Sequence, residues 1–248
     1  MKRSKLLTSA IFTAVALFIA IVSNASDLHK PIVDEDLVFE ENEGIVVVEA
    51  EHFYKQSKDE VRRWYITAPG MIPDVPPDHD PPHLEGASNN AYIEILPDTR
   101  ITHGEPLIHG ENFSNAPGVL GIIHYKVYIN NPGRYYVWVK AYSTGSEDNG
   151  IHVGMNGEWP ESGRRLQWCE GKHSWRWESK QRTQQQHCGV PHLIYLDIEE
   201  PGHHDIQFSM REDGFEMDKW LMTTDIDYNP REHDVPAVRV KSGTIPGL

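Results

Sequence analysis

Apolar and polar residues alternate along several short stretches of this chain, with the two-residue period of β-strands. The clearest stretches are residues 120–129 and 134–142, and the turn Asn131-Pro132-Gly133 between them predicts a hairpin. The other predicted strands are residues 45–53, 91–96, 151–155, 192–198, 205–210 and 218–224. Short strands, Gly/Pro turns and no helical periodicity together predict an all-β fold, an antiparallel β-sandwich with long loops at one end.

The N-terminus has the pattern of a secretory signal peptide over residues 1–25. Basic residues Lys2, Arg3 and Lys5 precede an apolar run, and small residues end at Ala25, after which we expect cleavage. An uncleaved anchor is the alternative, because the run is nearly long enough to span a bilayer. No second run of that length occurs, so we expect no membrane span after cleavage and a secreted, periplasmic or cell-surface protein.

The rest of the chain is predicted to form one domain. We expect an N-terminal extension over residues 26–44, a sandwich over residues 45–228 and a polar tail over residues 229–248. The formal net charge of the whole chain is −14. Such a surface repels phosphate backbones and anionic lipid, which argues against nucleic acid as a partner. It also disfavours sulfated or carboxylated glycans unless a bound cation intervenes.

The chain has 2 cysteines, Cys169 and Cys188. In an oxidising compartment a lone pair this close in sequence predicts one disulfide, and two free buried thiols are the alternative. A loop of about 20 residues closed in this way stabilises the fold by roughly 3 kcal/mol.

A candidate metal site lies at Glu49 and Glu51. In a strand these two carboxylates point the same way and repel each other, which Ca²⁺ with its several oxygen ligands relieves. Asp225, just past the last predicted strand, is a third candidate ligand if the first and last strands are neighbours. The alternative is an edge strand that carries solvated glutamates.

A candidate sugar site lies in the tryptophan-rich segment. Trp159, Trp168, Trp175 and Trp177 stand in otherwise polar sequence, and indole faces exposed in a loop stack on sugar rings. The alternative is that Trp168 and Trp177 pack under the loop and only stabilise it.

Residues 209–218 contain Arg211, Glu212 and Glu216 and predict either a polar recognition surface or a salt-bridged turn. Among the 14 histidines, His124 and His152 lie in predicted strands beside tyrosines and are the candidates for acid–base chemistry. No zinc signature of the HExxH type occurs.

Four motifs, taken in order, resemble the family 6 and family 35 carbohydrate-binding modules. Glu49-Ala50-Glu51 resembles their calcium-binding E-x-E, and the segments beginning at Pro132-Gly133 and Pro201-Gly202 resemble their PG turns. Residues 214–221 resemble their closing strand, with Asp225 where a calcium-ligating Asp is expected. The resemblance runs from about residue 45 to residue 227.

This resemblance implies a calcium-binding β-jelly roll with a sugar site in the loops at one end. Structural Ca²⁺ would be held by Glu49, Glu51 and Asp225. The predicted carbohydrate-binding residues are Tyr142, Asp148, Asn149, Trp159, Trp168, Trp175, Trp177, Arg211, Glu212 and Glu216. The loops are longer than is usual in the family, and Glu216 stands where many members carry an Asn.

Three functions remain open from the sequence. The first is a non-catalytic protein that binds a polysaccharide or oligosaccharide, alone or with a complex of glycan-degrading enzymes. The second is a secreted lyase or glycoside hydrolase. Its candidate catalytic residues are His124, Tyr136, His152, Arg165 and Glu178. The ExDxxE signature of jelly-roll glycosidases is missing. The third is a protein-interaction module of the cell envelope.

Overall fold

The structure, a computed structural model, describes residues 27–248 and consists of two β-sheets packed face to face. The predicted signal peptide lies outside the described residues. Sixteen strands are present in this part of the chain. Their bounds are β1 Val38–Glu40, β2 Ile45–Glu49, β3 Lys55–Ser57, β4 Arg63–Thr67, β5 Tyr92–Leu96, β6 Ile122–Ile129, β7 Gly133–Tyr142, β8 Gly150–Met155, β9 Leu166–Gln167, β10 Arg176–Glu178, β11 Lys180–Gln181, β12 Val190–Pro191, β13 Tyr195–Ile198, β14 Gly202–Met210, β15 Glu216–Thr223 and β16 Val240–Ser242. Short 3-10 turns occupy Ala50–His52, Ser88–Asn90 and Glu161–Gly163.

The first sheet has the order β12-β11-β9-β8-β14-β6-β1-β16, with β3 also paired to β6. The second has the order β10-β7-β15-β5-β4, with β13 paired to β7 and β2 to β15. The pairs are antiparallel apart from β1 with β6. The predicted jelly-roll sandwich is confirmed. Along β6, Ile123, Tyr125 and Val127 are buried in the core between the sheets, as the two-residue period predicts.

The hairpin predicted at Asn131-Pro132-Gly133 is wrong, because β6 and β7 belong to different sheets. The turn crosses from one sheet to the other, so the apolar faces of both strands meet in the core. Buried Glu41 holds this crossing by accepting bonds from the backbone N–H groups of Asn130 and Asn131, at 2.8 Å and 2.9 Å.

The domain boundaries predicted at residues 45 and 228 exclude two strands that the structure includes. β1 lies in the predicted extension and β16 in the predicted tail, and they pair with each other through Val38 and Ser242. The tail also covers the outer face of the second sheet. There the Arg231 Nε donates to the carbonyl oxygen of Trp177 at 2.8 Å. Within residues 27–248, no helix is long and apolar enough to cross a membrane.

The disulfide between Cys169 and Cys188 is confirmed, with the Cα atoms 5.2 Å apart. It closes residues 169–188, the disulfide segment, across one end of the sandwich. This segment contributes β10 to the second sheet and β11 to the first. Residues 54–90, which lie between two predicted strands, are also partly regular, since they contain β3 and β4.

Candidate functional site

A groove of about 540 Å³ opens at the loop end of the second sheet. Tyr142 ends β7, and Trp175 directly precedes β10, the strand beside β7. The Pro-rich loop, residues 69–86, forms the facing wall. We call this the aromatic groove, and its lining residues are Pro82, His83, Glu85, Gly86, Lys140, Tyr142, His173, Ser174 and Trp175.

The aromatic rings of the groove hold one another in place. The His83 ring stacks on Tyr142 with centroids 3.8 Å apart, and Trp175 meets Tyr142 nearly edge-on at 5.5 Å. The Trp175 Nε1 donates to the carbonyl oxygen of His83 at 2.9 Å. Tyr142 and Trp175 are both half-buried, so each keeps part of its ring open to the groove. A rigid, partly open aromatic pair of this kind is suited to stacking on a sugar ring.

Acidic side chains lie beneath the groove. Glu216 is directly opposite Glu94 on β5 and Tyr142 on β7. Burial, followed by nearby carboxylates of which Asp80 has the largest effect, raises the pKa of Glu216 well above its usual range. Burial lowers the pKa of His83, whose Nδ1 is 2.7 Å from the Glu216 Oε1. Burial therefore opposes charge on both members of this hydrogen-bonded pair, which anchors the Pro-rich loop to the sheet.

Four of the predicted sugar-binding residues are buried supports of the loops. Asp148 accepts bonds from the Thr144 backbone N–H at 2.6 Å and the Ser143 hydroxyl at 2.8 Å. The backbone N–H of Asn149 donates to the Glu212 Oε2 at 3.0 Å, and Glu212 also pairs with Arg211. Their side chains bond to groups within the protein, although the buried Arg211 Nε has no partner. Those four are Asp148, Asn149, Arg211 and Glu212, and none of them lines the groove.

The four tryptophans of the segment do not form one platform. Trp168 is buried in the main core, where it packs edge-on against Phe215. Trp177 is buried on the outer side of the second sheet, beneath the C-terminal tail. Both side chains are buried, as the alternative of packing under the loop expects, and neither lines the aromatic groove.

Trp159 is half-buried but lies on another surface. It borders a separate cavity of about 300 Å³ that also contacts Leu196 and Asp197. Its ring rests on Gly154, where a Cβ in place of the glycine hydrogen would come within 2.6 Å of the indole. Of the four tryptophans, Trp175 alone lines the aromatic groove.

Glu49 and Glu51 come together, as the sequence predicts, although Glu51 lies in a 3-10 turn and not in the strand. Glu51 is fully buried, and neither of its carboxyl oxygens has a hydrogen-bond partner. Burial, then the charges of Glu49 and Asp218, raise its pKa to about 8. We call Glu49, Glu51 and Asp218 the carboxylate cradle.

Two lysines partly neutralise the cradle. Lys219 Nζ is 2.7 Å from the Glu49 Oε1, and Lys140 Nζ is 2.7 Å from the Asp218 Oδ2. In residues 27–248, no three His, Cys, Asp or Glu side chains are already arranged around a metal position. The donor set of hard carboxylate oxygens nevertheless suits Ca²⁺, and the unpartnered oxygens of Glu51 are free to accept it.

Asp225 does not belong to this cluster. Lys219 pairs with Glu49 across β15 and β2, whereas Thr223 pairs with Ile45 at the other end of the same ladder. Asp225 lies two residues beyond Thr223, at the Ile45 end of the ladder. It is therefore about the length of β2 away from Glu49 and Glu51. The carboxylate that approaches them is that of Asp218, inside β15.

Three contributors to these sites were not predicted from the sequence. His83 lies in the Pro-rich loop, and the signal that could have found it is its position among aromatic and acidic residues. Lys140 and Asp218 lie in predicted strands. The alternation of β7 could have placed Lys140 on the outer face, but a register shift between Met217 and Lys219 breaks the alternation of β15 at Asp218.

The residues considered for lyase or glycosidase chemistry are not brought together. His152 is fully buried, and burial lowers its pKa to about 3. Glu178 pairs with Arg231, and Tyr136 packs edge-on against Tyr195. Arg165 lies beside His152, to whose Nδ1 its backbone N–H donates.

His124 is part of a hydrogen-bond chain on the outer face of the first sheet. Its Nε2 is 2.8 Å from the Ser57 Oγ, and its Nδ1 is 2.8 Å from the Asp205 Oδ2. In the tautomer whose Nδ1 donates to the Asp205 carboxylate, Nε2 accepts from the Ser57 hydroxyl; the Gln207 Nε2 also lies 3.0 Å from that Nδ1. This is the order of nucleophile, base and orienting acid in serine hydrolases. Asp205 and Tyr54 also line a cavity of about 490 Å³.

Comparison with known proteins places this chain beside a longer relative. No family model matches the sequence. The chain is 54% identical over 220 residues to the uncharacterized protein P23 of Formosa agariphila. The match covers 89% of this chain and 53% of that protein, so the chain spans about half the length of its curated relative.

Among solved structures the similarities are remote. A family 35 carbohydrate-binding module from Clostridium thermocellum has 10% identity and a TM-score of 0.42, covering 73% of this chain and 98% of that one. The exo-β-1,3-galactanase of Phanerochaete chrysosporium has 12% identity and a TM-score of 0.40, covering 73% and 30%. The GH26-CBM35 β-(1,4)-mannanase of Podospora anserina has 13% identity and a TM-score of 0.39, covering 79% and 30%. The function proposed below therefore rests on the residues of this chain.

Proposed function

We propose that this chain is a non-catalytic glycan-binding protein whose sugar site is the aromatic groove. The observation that carries the proposal is the pair Tyr142 and Trp175, half-buried and locked by His83 at the mouth of the groove. Lys140 and Ser174 lie beside the rings and supply hydrogen-bond donors for sugar hydroxyls. A shallow aromatic site with a few polar groups binds glycans by stacking, with orientation fixed by the hydrogen bonds.

Affinity electrophoresis through gels that contain single polysaccharides tests this proposal. Trp175→Ala should abolish the retardation of whichever glycan binds, because the stacking face is lost. Trp159→Ala is the matched control, since it removes an equally half-buried indole from a different surface. Loss of binding in the control with retention in Trp175→Ala would show that the cavity beside Trp159 is the sugar site.

We further propose that Ca²⁺ binds the carboxylate cradle and stabilises the fold. Glu51 supports this, because a fully buried carboxyl with two unpartnered oxygens is costly unless it is protonated or ligated. The residues that would hold the ion are Glu49, Glu51 and Asp218. The ion would supply charge compensation next to the groove, since Lys140 both lines the groove and pairs with Asp218 of the cradle. Addition of a chelator should lower the melting temperature.

Export is part of the same proposal. The disulfide supports it, because such bridges persist in oxidising compartments outside the cytosol. A secreted or cell-surface binder of this kind would work beside enzymes that degrade its glycan. Detection of the protein in culture medium or envelope fractions, with its N-terminus at residue 26, tests the export step.

A second candidate function, ester hydrolysis, is favoured by the Ser57–His124–Asp205 chain. In such a reaction the Ser57 Oγ attacks an ester carbonyl while His124 Nε2 takes the hydroxyl proton and passes it to the departing alcohol. Water then hydrolyses the acyl-serine. Hydrolysis of p-nitrophenyl acetate by the wild type, its loss in Ser57→Ala and its retention in Ser146→Ala would establish this activity. Equal rates in the wild type and Ser57→Ala would show that the Ser57–His124–Asp205 hydrogen bonds have only a structural role.

A further inference from the structure

Positive charge is concentrated in one part of this acidic protein. Residues 164–188 contain six Lys and Arg residues against two Glu residues, in a chain whose net charge is −14. Four guanidinium groups from this part and from the end of β14 lie close enough to repel one another. We call Arg164, Arg165, Arg182 and Arg211 the arginine cluster. A surface predicted to avoid anions therefore contains a local cationic site.

The short ladder between β9 and β11 brings the two central arginines together. Leu166 pairs with Gln181, and the backbone N–H of Arg182 donates to the carbonyl oxygen of Arg165 at 2.8 Å. Arg165 has a φ of 61°, in the left-handed region that side chains other than glycine rarely adopt. Its backbone is held there by the bonds to Arg182 and to His152. The fold thus fixes Arg165 in a costly conformation next to a second cation.

The outer members of the cluster have carboxylate partners, whereas the central pair does not. Arg164 pairs with Glu161 at 2.7 Å, and Arg211 pairs with Glu212. Among residues 27–248, neither Arg165 nor Arg182 forms an ion pair. The Nε atoms of Arg164, Arg165 and Arg211 are all buried without a hydrogen-bond partner.

The neighbours of the central pair relieve the repulsion only in part, since Glu161 raises the pKa of Arg165 and Glu212 raises that of Arg182. Arg182 bonds the ring nitrogen of His187 at 2.8 Å, which as an acceptor is neutral and does not compensate the charge. Burial, then the neighbouring arginines, lower the pKa of both Arg165 and Arg182. Two half-buried cations without an ion-pair partner are unfavourable, and a bound anion relieves that cost.

We propose that Arg165 and Arg182 bind an oxyanion carried by the glycan, either a carboxylate of a uronic acid or a sulfate ester. The planar guanidinium fork matches the paired oxygens of both groups. This inference rests on the proposed glycan-binding function, and it specifies the substrate class as an anionic polysaccharide. The site is separate from the aromatic groove, although the disulfide segment contributes residues to both.

Small anions test the site without any polysaccharide. The ¹H–¹⁵N signals of the arginine Nε–H groups are followed in the full chain while inorganic sulfate, glucuronate or neutral glucose is added. Sulfate and glucuronate should both shift the Arg165 and Arg182 signals, and glucose should shift neither. A larger response to one of the two anions identifies the source of the oxyanion. Signals unmoved by either anion would overturn the proposal.

Polysaccharide binding tests it a second way. The double variant Arg165→Gln/Arg182→Gln should bind an anionic polysaccharide about tenfold or more weakly, as expected for the loss of charge-assisted bonds. Its melting temperature should not fall, because two repelling cations are removed. Arg176→Gln, an exposed arginine of the same segment, is the matched control and should bind as the wild type does.

The outcomes separate this inference from the proposed function. Loss of anionic binding in the double variant, with Trp175→Ala also defective, supports both proposals. Anion-induced shifts together with no polysaccharide binding would refute the glycan function while the oxyanion site stands. Equal losses in the double variant and in Arg176→Gln would show non-specific attraction and overturn the assignment to Arg165 and Arg182.

Discussion

Replacing Glu51 with Gln tests the carboxylate cradle most directly. Burial, followed by Glu49 and Asp218, raises the pKa of Glu51 from 4.5 to about 8. Without metal, the folded protein therefore holds this proton more tightly than the unfolded chain does. The resulting stabilisation is complete below about pH 4.5 and is lost as the pH rises through about 8. The difference between the two pKa values corresponds to at most about 5 kcal/mol.

The assay is urea unfolding followed by tryptophan fluorescence at several pH values between 5 and 8, in chelator and in CaCl₂. In chelator, wild-type stability should fall towards pH 8, and Glu51→Gln should show a flatter profile and be the more stable protein at pH 8. In CaCl₂ the wild type should recover, by about 2.7 kcal/mol at a calcium concentration one hundred times the dissociation constant. The variant should recover far less, because one ligand charge is missing.

Glu199→Gln is the control, since Glu199 is exposed and lies outside the cradle. It should follow the wild type in both buffers. If Glu51→Gln had the wild-type pH profile in chelator, the buried carboxyl would not be the titrating group. If it gained as much from calcium as the wild type, the cradle would not be the calcium site.

Three further predictions concern stability. Trp168→Ala should cost about 3–5 kcal/mol by urea unfolding, because it empties a core position, whereas Trp175→Ala should cost much less; equal costs would contradict the division between core and groove. His152, whose pKa burial lowers to about 3, is neutral in the folded protein but takes up a proton below about pH 6.5 when unfolded, so stability falls as the pH drops. His152→Gln should reduce that acid sensitivity, and an unchanged slope between pH 6.5 and 4 would refute this reasoning. Reduction of the bridge between Cys169 and Cys188 should lower stability by about 3 kcal/mol, and an unchanged urea midpoint in reductant would show that β10 and β11 hold the segment without it.

The sequence predicted the long strands well and the connections between them poorly. Strands β6, β7 and β14 are long enough for the alternation of apolar residues to define them. β1 and β16 have three residues each, too few for a periodic signal. A Pro-Gly turn looks the same whether it joins two strands of one sheet or crosses between sheets, so the sequence pattern could not reveal the crossing after β6.

The candidate site was predicted in part. Tyr142 and Trp175 line the groove, but Trp168 and Trp177 are buried, because residue type alone does not tell which side of the disulfide segment faces the core. Position along β15 also determines which aspartate joins the carboxylate cradle. Asp218 lies near Glu51, whereas Asp225 is separated from it by the register of β2 against β15.

The strand order of the two sheets has a consequence for folding during synthesis. β15 is the central strand of its sheet and bonds with β2, β5 and β7, and the other sheet pairs β1 with β16, the last strand of the chain. Neither sheet can be completed until β15 and β16 have been synthesised, and contacts between residues so distant in sequence form slowly. A nascent chain of this topology therefore cannot close either sheet before these C-terminal strands emerge.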